Sequence, residues 1–403
     1  MDAKLDHIRS LEQQYLFPTY SRQPVLLERG KGVFVFDSAG TKYLDAITGI
    51  GVNAMGHAHP KVLEAIKDQS RKLIHTSNLY YNEFQGPLAE RLTRLSGMER
   101  AFFTVSGAEA AEGAIKVARA VAQRIAPDKI ELIALDHSFH GRTTGAVSVT
   151  GTEKYRAPFG PLLPGVRFVP ANDQAALAAA VNARTAAILI EPVQGEGGIR
   201  EIDPAFLAAA ADLARQHQAL LIADEIQCGL GRTGKAFAFQ WTSVIPDIVI
   251  AAKPIACGYP LGVILARGEA ATALTAGSHG TTFGGGPMAC RLGMVFLDFL
   301  DQESTYTHIQ LVGAGLKQGM QELAARQRIV REVRGKGLML AMELDRPAAP
   351  AARRMLELGM LVNVTHENII RLLPPYILEP KHGEKIVRAL GKALKTADWS
   401  ASS

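Results

Sequence analysis

Residues 220–234 read LLIADEIQCGLGRTG, and residues 247–262 read DIVIAAKPIACGYPLG. Each opens as an unbroken apolar run, and each run ends on a charge, Asp224 in the first and Lys253 in the second. Apolar runs of this length without alternation are the pattern of strands buried on both faces, as in a parallel sheet. RAFFTV (100–105), IELIALD (130–136), AAILIEPV (186–193), ALLIADEI (219–226) and DIVIAAK (247–253) all read as buried parallel strands. Helical stretches lie between them, among them LAAAVNA (177–183) and AFLAAAADLARQHQ (205–218). Strands alternating with helices predict an α/β fold with a doubly wound, mostly parallel sheet and helices on both faces. Ligands of such sheets bind beyond the carboxyl ends of the strands, and the polar residues of this chain cluster at those ends.

The flanking regions read differently. Residues 1–60 carry strand-like pieces with turns between them, as in GVFVFDSAGTKYLDAI (32–47), where VFVFD alternates and Ser-Ala-Gly closes a turn. Leu88, Leu92 and Leu95 mark one face of a helix. After about residue 300 the pattern changes again. TYTHIQLVGAGLKQGMQELAARQR (305–328) reads as a helix, followed by short strands GLMLAMEL (337–344) and LGMLVNVT (358–365). The expected organisation is an N-terminal segment, 1–60, that joins a small domain, a large ligand-binding domain over 61–300, and a small α+β domain over 301–403.

The 403 residues are 47% hydrophobic and 21% charged, the balance of a globular enzyme with a sizeable core. The net charge of +5 comes from scattered residues with no basic run, which argues against a nucleic-acid partner. Cys228, Cys257 and Cys290 form no C-x-x-C and cannot all pair, so a reducing, cytoplasmic compartment is expected. The opening MDAKLDHIRSLEQQYLF lacks the apolar core of a secretory signal. No apolar run of membrane-spanning length is free of charges or breakers, so no membrane association is expected.

A carboxylate and an ammonium are expensive to place at the ends of buried strands. Pyridoxal phosphate needs such a pair: its aldehyde bonds to a lysine, and its ring nitrogen needs an acid to stay protonated. The plainer alternative for Asp224 and Lys253 is a structural ion pair between two loops. Ser106-Gly107-Ala108-Glu109 opens a helix after RAFFTV, a place where free N–H groups suit a phosphate; Ser-x-x-Glu is equally an ordinary capping box. Phe139-His140-Gly141-Arg142 follows IELIALD, with Phe139 a candidate to lie on a cofactor ring and Arg142 a candidate for a substrate carboxylate. Core packing and a surface ion pair are the alternatives. Glu196 stands in a glycine-rich loop and is a candidate partner for an arginine, against a solvated loop acid. Gln227 is a candidate for the cofactor's phenolic oxygen or a turn cap. Thr282 lies in HGTTFGGG (279–286) and can donate to a phosphate, although a plain glycine-rich loop is the default. Arg371, before Pro374-Pro375, is a candidate for a second carboxylate. His57 and His59 have the spacing of one strand face, but with no neighbouring acid or cysteine in the sequence a turn into a helix at Pro60 is favoured over a metal site.

Taken together these segments resemble the class III, pyridoxal-phosphate-dependent aminotransferases. The resemblance runs from GVFVFDSAGTKYLDAITGIGVNAMGHAHP (32–60) to IIRLLPP (369–375), and IEPVQGEGG (190–198) and the two opening stretches are its most specific pieces. Within the class, MGHAHP (55–60), SFHGRT (138–143) and HGTTFGGGPMAC (279–290) look most like the acetylornithine aminotransferase subgroup. The resemblance implies fold type I, the aspartate-aminotransferase-like fold, as a homodimer with shared sites, and no metal. It implies that Lys253 holds the cofactor and shuttles the proton, Asp224 holds the ring nitrogen, Phe139 stacks on the ring and Gln227 touches the phenolic oxygen. Ser106, Gly107 and Ala108 would cradle the phosphate, with Thr282 from the other subunit. Arg142 would bind the substrate carboxylate, Arg371 that of 2-oxoglutarate, Glu196 would gate between the two half-reactions, and Tyr20 would line the substrate side. Three positions depart from the family pattern: Val105 and Gly286 stand where asparagine is usual, and Pro254 stands where glycine is usual. Pro254 is expected to hold Lys253 extended at a strand end.

The expected reaction moves the ω-amino group of N-acetylornithine to 2-oxoglutarate. Succinylornithine, ornithine, 4-aminobutyrate and a carrier-bound aminoadipate semialdehyde are the alternatives within the same chemistry. A mutase or decarboxylase on the same fold would need no glutamate half-reaction, and Arg371 with Glu196 argues against a mutase. A non-catalytic regulator would need a DNA-binding extension, for which the residues before 20 are too few.

Overall fold

The structure is a computed structural model and describes residues 3–400. Its centre is a seven-stranded sheet in the order Arg100–Thr104, Gly262–Ala266, Ile248–Ala251, Leu220–Asp224, Thr185–Ile190, Glu131–Leu135, Val166–Val169. The last five run parallel to one another. Every residue of Glu131–Leu135, Thr185–Ile190, Leu220–Asp224, Ile248–Ala251 and Gly262–Ala266 is buried, which explains the unbroken apolar runs.

Two readings change. RAFFTV enters this sheet in the same direction as those five, but it is separated from them by Gly262–Ala266, which runs antiparallel to both Arg100–Thr104 and Ile248–Ala251. The cause is the short link between Ala251 and Gly262. It holds one 3-10 turn, Lys253–Ala256, and a parallel neighbour needs a longer crossover, usually a helix. The second change concerns Lys253. The strand stops at Ala251, and Lys253 is the first residue of that turn rather than an extended strand end. The strands Val166–Val169 and Gly262–Ala266 were not anticipated, and the helix within LAAAVNA stops at Ala180 because Val181 is extended.

The helix Gly107–Gln123 lies on this sheet through Ala110, Ala114 and Ala118. Small residues permit the close approach, and a Cβ at Gly113 would strike Ile264. Pro204–Gln216 covers the opposite face through Phe206, Leu207 and Ala210.

A second, antiparallel sheet runs Val330–Lys336, Met339–Leu344, Ile369–Leu372, Asn363–Thr365. The helices Glu303–Ala324 and Pro380–Thr396 pack beside it. A third sheet joins distant parts of the chain: the meander Leu27–Lys31, Phe34–Asp37, Lys42–Asp45 takes Met360–Leu361 as a parallel fourth strand.

After this meander, Thr48, Gly49, Ile50 and Gly51 form one left-handed turn with φ of 51°, 62°, 64° and 84°. Left-handed turns are disfavoured for residues with a Cβ. This one is held by Asp45, whose Oδ1 accepts the N–H groups of Ile47 (3.0 Å) and Thr48 (2.7 Å). The Asp45 Oδ2 lies 2.7 Å from His57 Nε2, so His57 does have an acid beside it, brought from twelve residues upstream. His59 precedes the helix Pro60–Ser70, as the turn reading expects.

Glu225, fully buried, fixes the loop behind the Leu220–Asp224 strand by accepting the N–H groups of Ala238 (2.9 Å) and Phe239 (2.7 Å). Burial pushes its carboxyl up to about 7, although the two N–H donors pull the other way. The folded protein therefore binds a proton there that the unfolded chain releases above its ordinary carboxyl range. Its stabilising contribution is full below about pH 4.5 and is lost as pH rises through about 7. Denaturant unfolding of Glu225→Gln across that window should show a slope with pH flatter by up to about 1.4 kcal/mol per pH unit than the parent; an unchanged slope would refute the assignment.

Candidate active site

A cavity of about 450 Å³ opens at the carboxyl ends of the parallel strands. Its walls bring together Ser106, Gly107, Ala108, Phe139, Arg142, Glu196, Asp224, Gln227 and Lys253, all singled out from the sequence. Arg371 lies directly behind this wall, bonded to Glu196 and Gln227. Thr282 and Tyr20 are exposed and are not among the residues lining this chain's own cavity.

Asp224 ends its strand at 2% exposure. Its Oδ1 accepts the N–H of Ile226 at 3.0 Å, and its Oδ2 lies 2.7 Å from Nδ1 of buried His140. The other ring nitrogen of His140 has no hydrogen-bond partner among the described residues. Sequence reasoning quoted His140 only as part of its motif and gave it no role. The same holds for Glu191, which accepts the N–H groups of Phe139 (2.8 Å) and Gly195 (3.0 Å) and so clamps two cavity loops together. Burial pushes the Glu191 carboxyl up, with His140 pulling it down and Asp224 adding to the rise.

Lys253 is half-buried, facing the cavity. Burial lowers its pKa below the ordinary lysine value; Glu196 opposes that shift, Arg371 adds to it, and Asp224 and Glu191 oppose it. A lysine so placed is biased toward the neutral amine that attacks a carbonyl or takes up a proton.

Arg371, at 1% exposure, is bonded through Nη1 and Nε. Its Nη1 donates to Glu196 Oε1 at 2.5 Å, to Gln227 Oε1 at 3.2 Å and to the Gly195 carbonyl at 3.2 Å, while Nε donates to Asn363 Oδ1 at 3.1 Å. Burial pushes the Glu196 carboxyl up, but the Arg371 guanidinium outweighs it and holds Glu196 below the ordinary carboxylate range. Thr365 Oγ1 also donates to the Glu196 carbonyl at 2.8 Å, tying the loop to the strand beside Arg371.

At the opposite wall the helix Gly107–Gln123 begins. Ser106 Oγ accepts the Glu109 N–H at 3.2 Å, and the Glu109 carboxylate accepts the Val105 N–H at 3.1 Å. The Ser106 cap is therefore real, although Glu109 reaches the N–H of Val105, one residue before the cap, and does not close a capping box. The cap leaves the N–H groups of Gly107 and Ala108 in the helix's first turn, where no intrahelical acceptor exists. A Cβ on Gly107 would stand 2.8 Å from Ile226, and one on Gly141 (φ 138°) would stand 2.8 Å from the Ala108 Cβ. The cradle thus requires glycine at 141, while a side chain at 107 would have to displace Ile226.

The residues at this site fit a phosphorylated aromatic aldehyde with a ring nitrogen. The helix start suits the phosphate, a buried carboxylate suits the ring nitrogen, Phe139 supplies an aromatic face and Lys253 supplies the amine.

The description "Aminotransferase class-III" is matched by residues 17–394. The chain belongs to the class III aminotransferases; it is a transaminase of fold type I, and its cofactor is pyridoxal phosphate. Among curated relatives, the acetylornithine aminotransferase of Methanocaldococcus jannaschii is 45% identical over 381 residues, covering 94% of this chain and 96% of its own. Acetylornithine aminotransferase 1 of Bordetella bronchiseptica is 46% identical, with 93% and 96% covered. Among solved structures, the ornithine aminotransferase of Toxoplasma gondii ME49 superposes with a TM-score of 0.93 at 31% identity, covering 97% of this chain and 95% of its own. The acetylornithine aminotransferase of Elizabethkingia anophelis does so with 0.86 at 32% identity, covering 97% and 99%.

Gly141→Val should weaken cofactor binding roughly tenfold or more, because the left-handed backbone and the Ala108 contact both resist a side chain. Equilibrium titration of the cofactor-free protein checks this, and parent-like affinity would show that the cradle tolerates a shift of the helix start.

Proposed function

We propose that the chain transfers the ω-amino group of N-acetylornithine to 2-oxoglutarate, giving N-acetylglutamate 5-semialdehyde and glutamate. The observation that carries this reading is the unequal state of the two arginines around Lys253. Arg371 is capped by Glu196, whereas no carboxylate among the described residues lies within ion-pair distance of Arg142. An ω-amino donor with one distal carboxylate needs only the open arginine. A dicarboxylate such as 2-oxoglutarate needs a second cation, which Arg371 provides once Glu196 moves aside. The relatives named as acetylornithine aminotransferases support the choice of donor.

Pyridoxal phosphate, when bound, supplies an electrophilic carbonyl and an electron-accepting ring. Asp224, oriented by His140, holds a proton on the ring nitrogen. Ser106, Gly107 and Ala108 hold the phosphate, Phe139 covers the ring and Gln227 reaches the phenolic oxygen. Lys253 Nζ, biased toward neutrality by burial, takes up and returns the proton of the amine-bearing carbon. Arg142 fixes the donor's carboxylate and so presents its far end, the ω-amine, to Lys253.

The reading includes a homodimer in which Thr282 completes the phosphate site of the second copy; Tyr20 lines the substrate side. Leu79, Tyr80, Tyr81 and Phe283 are exposed beside Thr282. Asn78 and Asn82 stitch the two segments together, donating to the carbonyls of Thr281, Gly284 and Gly285 at 3.0 Å each. An apolar patch of this kind calls for a cover. The proposed division is a large domain over 61–300 and a small one from 301–403 with part of 1–60, and the proposed location is the cytoplasm. Among the described residues no helix is long and apolar enough to cross a membrane.

Lys253→Ala should abolish steady-state transamination; turnover by the pure variant would remove Lys253 from the chemistry. Adding N-acetylornithine alone to the parent enzyme should bleach the visible band of the lysine-bound cofactor, and 2-oxoglutarate should restore it. A response to ornithine or 4-aminobutyrate in place of N-acetylornithine would replace the donor and keep the mechanism. Sedimentation of a Leu79→Asp, Tyr81→Asp double variant should show monomers where the parent shows dimers, and an unchanged dimer would move the interface elsewhere.

A further inference from the structure

Arg142 is exposed and follows the left-handed Gly141, and no acid among the described residues lies within ion-pair distance of its side chain. A free arginine has high rotamer freedom, and a substrate that must freeze it loses affinity accordingly. Here the guanidinium is held by an aromatic ring. Its central carbon lies 3.7 Å from the centroid of Tyr155 and 5.6 Å from that of Phe139. The Tyr155 ring stands edge-on to Phe139, with 6.0 Å between centroids and planes at 88°. Tyr155 belongs to the short helix Glu153–Arg156, and the next residue anchors that helix to the sheet: the Arg156 guanidinium lies 4.0 Å from the ring of Phe168. Phe139, the tyrosine and the arginine thus form one connected stack from the cofactor side of the cavity to its mouth. Lys154 adds a second cation, 5.5 Å from the same ring.

We infer that Tyr155 is a positioning residue for the substrate's distal carboxylate: its ring face holds Arg142 in the binding direction while leaving the N–H donors of that guanidinium free. An acid in that role would occupy the donors and neutralise the charge, as Glu196 does for Arg371. A stacked ring orients the guanidinium plane through its face and leaves its edge open to a two-pronged carboxylate contact. The inference rests on the role proposed above for Arg142.

The test compares the holoenzyme with Tyr155→Phe and Tyr155→Leu. Two unreactive probes are titrated by calorimetry: N-acetylnorvaline, the proposed donor without its reacting amine, and glutarate, a dicarboxylate that needs the same open arginine. Tyr155→Phe keeps the ring and should bind both within about twofold of the parent. Tyr155→Leu keeps an apolar side chain but not the ring face, and both dissociation constants should rise roughly 3- to 30-fold, the range of a partly desolvated cation–π contact. The affinity for pyridoxal phosphate and the unfolding midpoint should stay at the parent values. Unchanged probe affinity in Tyr155→Leu overturns the inference. So does a rise matched by an equal loss of cofactor affinity, which would mark a structural role. A parent enzyme that binds glutarate but ignores N-acetylnorvaline would overturn the choice of donor, and glutarate would still decide the role of Tyr155.

Discussion

The structure depends on giving a carboxylate hydrogen-bond partners where there is almost no water. Asp224 sits at the end of a strand whose five residues are all buried. Burying a carboxylate is costly unless partners replace the water around it. The Ile226 N–H and the His140 ring supply them. The neighbouring Glu191 takes a different role, spent on backbone N–H groups that hold the walls of the cavity. One loop contributes both His140 and Phe139, so the same backbone positions the partner of the acid and the aromatic face beside it.

Around this centre, small residues decide how close the walls come. Gly107 lies against Ile226, Gly141 lies against Ala108, and a Cβ at Gly195 would strike the Gln227 side chain. Each contact joins the end of one parallel strand to the end of another. The site is therefore set by the spacing of strands in the sheet, which backbone hydrogen bonds fix at about 4.8 Å, and the loops have little freedom to alter it. The second sheet enters the site through Arg371, with Thr365 bonding the Glu196 carbonyl beside it. The Arg371 partners Asn363, Gly195, Gln227 and Glu196 come from both layers, so one buried guanidinium couples the two.

Much of this was legible in the chain. Asp224 and Lys253 stood out because charges rarely terminate apolar runs, and the central parallel strands stood out because buried strands have no polar face. His140 was hidden for a physical reason: a histidine in a loop looks like a surface residue until the fold removes the water, whereas Glu191 ends an apolar run just as Asp224 does and carried a signal that was not used. Tyr155 carried no signal, since its partner Arg142 lies thirteen positions away and joins it only when two loops meet. Asp45 was missed beside His57 for the same reason. The reversal at Gly262–Ala266 was missed because an apolar run has no direction. Only the length of the link before it shows that the strand must come back antiparallel, and that length went unread.

That link has a further consequence. Residues 252–261 carry the lysine and also turn the chain into the next strand, with no slack between the two tasks. Side chains on a strand alternate between faces, so one added residue that moved the register of Gly262–Ala266 would turn its Val263 and Leu265 from one layer of the core to the other. One that did not would be absorbed by the turn and would displace Lys253. Gene lineages descending from this fold should therefore vary in length at the outer loops and keep this segment at constant length, whatever substrate they come to use.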